Sequence, residues 1–329
     1  MGVIENSQSI IFYKRQEKIM AFFTQETVQY ADLGSHKLAF LLDGTESRKD
    51  NQPIFIVFPG VTSSINQWAA VYRLLDHSVP ILWYERAGYS FSSPSPSPPS
   101  STIIAKELNT LLEVTKITGP YILVGHSWGG TLSREFLHLR PHDIAGMVLI
   151  DTVTSYVVPD PAINAVTKGV DYLTVCGIVD THKLMPEEWK AFMDEEEDPK
   201  HGAQAEKEIA QLIPARLALD SKEQLTKQPA ILGDSPVVVI RAHGKEEFEK
   251  MYIVGVEMGN GTEEERRQYR QHMAEWEEKE EAASQALFGL SKKGKYSRAA
   301  CGHNVQLQQP ELLVDEIKWM YDSTTGHSH

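Results

Sequence analysis

Ten residues constrain this chain more than any others: Tyr121-Ile122-Leu123-Val124-Gly125-His126-Ser127-Trp128-Gly129-Gly130. The run 121–124 is continuously apolar, as a strand buried on both faces requires. The residues after Ser127 carry a helical pattern to about position 139, and Pro141 stops it. Gly-x-Ser-x-Gly between a strand and a helix makes a sharp turn with the serine at its apex and its hydroxyl exposed. Such an apex lies in a sparsely populated backbone region and costs about 1–3 kcal/mol. Gly125 and Gly129 have no Cβ, so neighbouring backbone can approach closely. The helix points its N-terminus at Ser127, which favours negative charge developing there.

Around this turn the chain alternates strands and helices. Two strands are expected at 27–33 and 36–42, joined by Gly34-Ser35. Pro53-Ile54-Phe55-Ile56-Val57-Phe58 is a second fully apolar run, ending in Pro59-Gly60-Val61-Thr62. Residues 66–75 read as a helix, 80–84 as a buried strand, and 85–90 as a loop. The Ser/Pro-rich segment 92–101 is a surface loop, and a helix opened by Thr102 ends before Gly119-Pro120. Met147-Val148-Leu149-Ile150 follows the elbow helix, with Asp151 at its end. This rhythm predicts a parallel, doubly wound sheet whose site lies at the carboxyl ends of the strands.

From 152 to about 231 the strand rhythm stops and helical patterns take over, around 162–173, 186–193 and 203–219. A helical insertion after a strand end predicts a lid. Tyr156, Tyr172, Met185, Trp189, Phe192 and Met193 supply its apolar bulk, and Tyr156, Met185 and Trp189 are candidates for substrate contact. Residues 236–240 resume the sheet. A long acidic helix follows, with a capping box at Thr262 and Glu265. Tyr269, Met273, Trp276 and Leu287 recur on it at helical spacing, and its charged run 275–281 reads as a solvated face. A last short strand at 295–300 precedes Cys301-Gly302-His303-Asn304, and 310–319 is a closing helix.

A serine hydroxyl needs a base with a near-neutral pKa, itself oriented by a third group. Of twelve histidines, His303 has the best setting, in a loop directly after the final strand. His126 neighbours the serine but should turn away or back into the sheet. His138 and His142 read as surface residues, and His243 could reach the rim. Asp151 is the favoured acid, and Glu247, after the next strand, is the alternative. The amides of Val61 and Trp128 are placed to form an oxyanion hole.

These motifs resemble those of the α/β-hydrolase superfamily. The resemblance rests on Pro59-Gly60-Val61, Arg86-Ala87-Gly88-Tyr89-Ser90, the 119–130 stretch, Val148-Leu149-Ile150-Asp151, and Gly302-His303 with Gln309-Pro310-Glu311-Leu312. It covers about 27–155 and 232–322 and is most like capped esterase- or lactonase-like members. It implies an eight-stranded, mostly parallel sheet with a helical lid, Ser127 as nucleophile, His303 as base and an acid at a strand end, carried onto Asp151. Two departures stand out. Pro59-Gly60 replaces the usual His-Gly before the oxyanion turn. Gly244-Lys245-Glu246-Glu247 replaces the usual Gly-x-x-Asp, which keeps Glu247 open as the acid. The expected organisation is an N-terminal extension (1–26), a core (27–152 and 232–322), a cap (153–231) and a disordered tail (323–329).

The expected function is therefore hydrolysis of an ester, thioester or lactone of a small, largely apolar molecule. The same residues could instead serve C–C cleavage or elimination, or the fold could be a non-catalytic ligand receptor. A serine at 127 argues against epoxide and haloalkane chemistry, which needs a carboxylate nucleophile there. No cofactor or metal is required. The net charge of −13 over 329 residues argues against nucleic acid or an anionic membrane surface as partner, and a homodimer is possible in principle. Two cysteines are too few for a disulfide framework. With no apolar run long enough to span a bilayer, a cytoplasmic location is expected.

Overall fold

In the computed structural model of the chain, residues 22–46, 48–152 and 161–326 are described. Eight strands form one sheet: β1 (Gln29–Asp32), β2 (Lys37–Asp43), β3 (Ile54–Phe58), β4 (Ile81–Tyr84), β5 (Tyr121–His126), β6 (Ile144–Ile150), β7 (Val237–Arg241) and β8 (Gly294–Arg298). Their order is β1-β2-β4-β3-β5-β6-β7-β8. β1 pairs antiparallel with β2, and β2 with β4; every pairing from β4 to β8 is parallel. The doubly wound sheet expected from the sequence rhythm is thus the one observed.

The apolar runs form strands because both faces of the sheet are covered. In β3, Phe55 and Val57 face one core, while Ile54, Ile56 and Phe58 face the other. β5 repeats the pattern, with Ile122 and Val124 on the first side and Tyr121 and Leu123 on the second. Strand period two needs apolar residues at every position when both sides are dry. Winding runs outward from β3 in both directions, to β4 and to β5, so a crevice opens between the ends of β3 and β5. Val61 follows one of these strands and Ser127 the other.

Several boundaries differ from expectation. The first helix is a short 3-10 turn, Ile65–Trp68, leading into Ala69–Leu75. The expected 203–219 helix is two, Pro199–Ile209 and Leu212–Asp220. The 162–173 segment breaks at Gly169, whose φ is +72°, into Pro161–Val166 and Tyr172–Val175. The closing helix runs from Pro310 to Thr325, three residues into the stretch expected as a tail. Most of the N-terminal extension lies outside the described residues, but Phe22 and Phe23 are buried in the core, Phe22 stacked on Tyr72 at 4.4 Å.

The larger difference lies between β7 and β8. Two helices occupy it, Gly244–Glu257 and Glu263–Ala286, where a loop and one helix were expected. Both pack against Pro161–Val166. The cover over the sheet is therefore built from two insertions, not from 153–231 alone. Among the described residues no helix is long and apolar enough to cross a membrane.

Candidate active site

Ser127 stands at the apex between β5 and the Trp128–Leu139 helix, with φ 54° and ψ −124°. A side chain rarely adopts that backbone, and the surroundings hold it there. Its amide donates to the Ile150 carbonyl at 2.9 Å. A Cβ at Gly129 would sit 1.9 Å from the Phe58 carbonyl oxygen, so only glycine lets the helix press on the end of β3. The loop after β3 crosses close by, since a Cβ on Gly60 would meet Ser127 Cβ at 3.2 Å. Val61, Ser127, Trp128, Asp151 and His303 all border one cavity of about 290 Å³. Trp128 is the first residue of its helix, so its amide has no intrahelical acceptor.

His303 lies in the loop after β8. Its Nδ1 is 2.6 Å from Asp151 Oδ2. A carboxylate only accepts, so the proton is assigned to Nδ1, which leaves the Nε2 lone pair free. The other Asp151 oxygen accepts from the Ala242 amide at 3.0 Å. Burial alone would lower the His303 pKa, but the hydrogen bond and charge of Asp151 outweigh it and raise the value above 6.5. Burial likewise works to raise Asp151, and the His303 hydrogen bond reverses it, so Asp151 is lowered.

Glu247, the alternative acid, does not bond the imidazole ring. Its Oε2 accepts from the His303 backbone amide at 3.0 Å and from Tyr172 Oη at 3.2 Å. A Cβ on Gly302 would fall 1.9 Å from Glu247 Oε1. Asp151 thus orients the ring, while Glu247 holds the loop that carries it. His126 does not simply turn into the sheet. Its Nε2 donates to the His303 carbonyl at 2.9 Å, and the two rings lie 4.7 Å apart. Burial first, and then His303, push its pKa down to about 3, so it stays a neutral support. His243 is exposed just before the Gly244–Glu257 helix.

A second network reaches the loop after β3, the expected oxyanion loop, from the helices of the 161–220 segment. Arg86, in the loop after β4, donates to the carbonyls of Pro59, Gly60 and Ser63. Its Nε and Nη2 make a two-pronged bond to Glu208, both at 2.8 Å. Tyr89 Oη also donates to Glu208, at 3.0 Å. The Arg86 and Glu208 side chains are 1% and 0% exposed, so this pair is dry. Arg86 belongs to a motif that the sequence shows, but its pairing with Glu208 is not legible there, because nothing local links positions 86 and 208.

The cavity walls correct the substrate candidates. Trp189 stacks on His182 at 4.0 Å and contacts Phe192, away from the cavity. Met185 is the N-cap of the Pro186–Glu196 helix and does not border it either. Tyr156 lies outside the described residues. The wall is formed instead by Ile163, Thr167, Tyr172 and Leu212 from the cap, and by the two helices between β7 and β8. Gly244, Glu247, Phe248 and Met251 line it from one, at i, i+3, i+4 and i+7; Tyr269, Trp276 and Glu280 line it from the other. The run 275–281 is therefore not a uniformly solvated face. Its signal was visible: Glu280 continues the apolar stripe of 269, 273 and 276. Among the described residues no group of three or more His, Cys, Asp or Glu side chains is arranged to hold a metal.

Comparison with known proteins agrees with the fold. A family model described as alpha/beta hydrolase fold matches residues 53–169. "Probable transporter efuK" of Hormonema carpetanum is 28% identical over 304 residues, 88% of this chain, which spans only 42% of that protein's length. An "AB hydrolase superfamily protein" of Gibberella zeae is 24% identical over 281 residues, 81% of this chain and 85% of that protein. Among solved structures, lip1 of Acinetobacter baumannii AYE superposes with a TM-score of 0.66 at 16% identity, over 100% of this chain and 99% of that one.

Proposed function

From a chain of the α/β-hydrolase fold, we propose a serine hydrolase acting on an ester, thioester or lactone with a largely apolar body. The observation that carries this reading is the convergence of Ser127, His303 and Asp151 on one cavity, with His303 Nδ1 engaged by Asp151. In this reading His303 Nε2 takes the Ser127 proton as Oγ attacks the carbonyl carbon. The amides of Val61 and Trp128 donate hydrogen bonds to the oxygen that gains the negative charge, at the positive end of a helix. His303 then returns the proton to the departing alkoxide or thiolate, which leaves an acyl ester on Ser127. Water attacks that ester with His303 again as base, and the acid departs.

Preorganisation supports the scheme. The elbow strain is held by backbone contacts, the imidazole is oriented by Asp151, and Arg86 fixes the oxyanion loop. Cys176 and Cys301 are unpaired, which supports a reducing, cytosolic setting as part of the proposal. The test is labelling with a fluorophosphonate probe. Wild type should carry one adduct, located on Ser127 by peptide mass, and Ser127→Ala should carry none. An unlabelled wild type that still binds small ligands would favour the receptor reading instead.

A further inference from the structure

Three carboxylates, from Asp151, Glu247 and Glu280, border the cavity, and among the described residues no Lys or Arg side chain does. Two of the three are engaged. Asp151 holds the His303 ring, and Glu247 holds the His303 amide and the Tyr172 hydroxyl. Glu280 has no hydrogen-bond or ion-pair partner at contact distance among the described residues. Its neighbours on the same helix do: Glu277 and Glu281 pair with Arg241 from the end of β7. That pairing pins the helix to the sheet and turns position 280 toward the cavity.

The surroundings of Glu280 are aromatic. Tyr269, Trp276 and Glu280 fall on one face of their helix, and Phe248 packs on Trp276 with ring centroids 4.4 Å apart. A carboxylate in such a place is poorly solvated. Burial, with the charge of Asp151 adding to it, pushes its pKa up to about 7. An anionic ligand would meet three carboxylates, and the one basic side chain on the lining, His303, is already engaged by Asp151. A wholly apolar ligand would strip Glu280 of its remaining water and give nothing back. A cation would supply the absent partner to Glu280 and would lie against ring faces, which attract positive charge.

We infer that the cavity selects substrates bearing a cationic nitrogen, held by Glu280 and the Trp276–Phe248 aromatic wall. This deepens the hydrolase reading and rests on it for the word substrate, but the binding preference can be read without turnover. Two matched pairs of esters test it. Ethyl 4-(trimethylammonio)butanoate is compared with ethyl 5,5-dimethylhexanoate, which puts the charge on the acyl side. Choline butanoate is compared with 3,3-dimethylbutyl butanoate, which puts it on the alcohol side. Each pair differs only by nitrogen for carbon, and the neutral member is the more hydrophobic.

Titration calorimetry on Ser127→Ala should show the cation of at least one pair binding about tenfold or more tighter than its neutral partner. In Ser127→Ala/Glu280→Gln that ratio should fall towards one, and Glu280→Asp should restore part of it. Using a ratio within one preparation cancels any loss of folded protein. No cation preference in either pair, or a preference that survives Glu280→Gln unchanged, overturns the inference. Turnover by wild type separates the two claims. Cleavage of the esters without cation preference sinks this inference and leaves the hydrolase; preferential binding of cations by a wild type that neither cleaves them nor takes a fluorophosphonate adduct on Ser127 sinks the hydrolase and leaves this inference.

Discussion

At the scale of single residues, the His303–Asp151 pair sets two opposed pH dependences. Catalysis in the proposed scheme needs neutral imidazole, and Asp151 raises the His303 pKa above 6.5. We expect kcat/KM on a neutral ester to rise with pH at unit slope, with a midpoint above 6.5. Asp151→Asn should lower kcat by a factor on the order of 10⁴ and shift that midpoint down; an unshifted midpoint would remove Asp151 as the orienting group. Stability runs the other way. The raised His303 contributes fully below 6.5 and loses its contribution as pH climbs through its folded value. The lowered Asp151 contributes fully above 3.8 and loses its contribution as pH falls through its own. The pair is therefore most stabilising between those two values, below the range where the proposed scheme runs fastest. Denaturant unfolding at pH 5.5 and pH 8.5 should show Asp151→Asn costing more at the lower pH. Glu247 bonds the backbone and reaches the ring only through its charge, so Glu247→Gln should lower the pH midpoint by less than Asp151→Asn does. It should cost about 1.5–3 kcal/mol of stability through the charge-assisted bond to the His303 amide.

At the scale of elements, the site depends on contacts that only particular residues permit. The elbow helix can press on β3 only because position 129 is glycine. Gly129→Ala would drive a methyl group into the Phe58 carbonyl at 1.9 Å. The helix must then move off the strand and carry the Ser127 turn with it. Fluorophosphonate labelling of that variant should slow far more than its circular dichroism changes. The Pro199–Ile209 helix is tied to the loop after β3 by the dry Arg86–Glu208 pair and by His201, whose Nε2 donates to the Thr62 carbonyl at 2.8 Å. Removing one member leaves the other charged and buried, and such losses run to about 3–5 kcal/mol. Glu208→Ala should show a loss of that size in urea unfolding, together with a lower kcat. A surviving kcat at reduced stability would mean that the brace holds the cap without shaping the oxyanion loop. The Glu263–Ala286 helix shows how one element divides its labour. One side is claimed by Arg241 through Glu277 and Glu281, and the adjacent side brings Trp276 and Glu280 to the cavity.

At the scale of the whole molecule, a sheet buried on both faces carries Ser127, Asp151 and His303 at three different strand ends, and a cover of helices lies over them. β3, β5 and β6 sit mid-sheet with nearly every side chain buried. The cap between 161 and 220 is assembled from short helices, two of only four residues. Hydrogen exchange should therefore be slowest in β3, β5 and β6 and fastest in 161–182; equal protection in both would mean that cap and sheet open as one unit. The split in legibility has the same origin. The apolar runs at 54–58, 121–124 and 147–150, and the strand–Gly-x-Ser-x-Gly–helix turn, are local patterns. Burial on both faces and the geometry of a tight turn act over a few residues, so sequence alone determined the sheet, the elbow and the loop positions of Asp151 and His303. Which carboxylate meets the imidazole was not local: Asp151 and Glu247 both follow strands, and only the packing of the 244–257 helix sends Glu247 to the backbone instead. The cavity wall was equally hidden. Trp189 and Trp276 look alike along the chain, and each is an aromatic residue on an amphipathic helix. Only the tertiary arrangement decided that one packs on His182 and Phe192 and the other borders the cavity, because a helix's own periodicity marks which face is buried and carries no record of what that face is buried against.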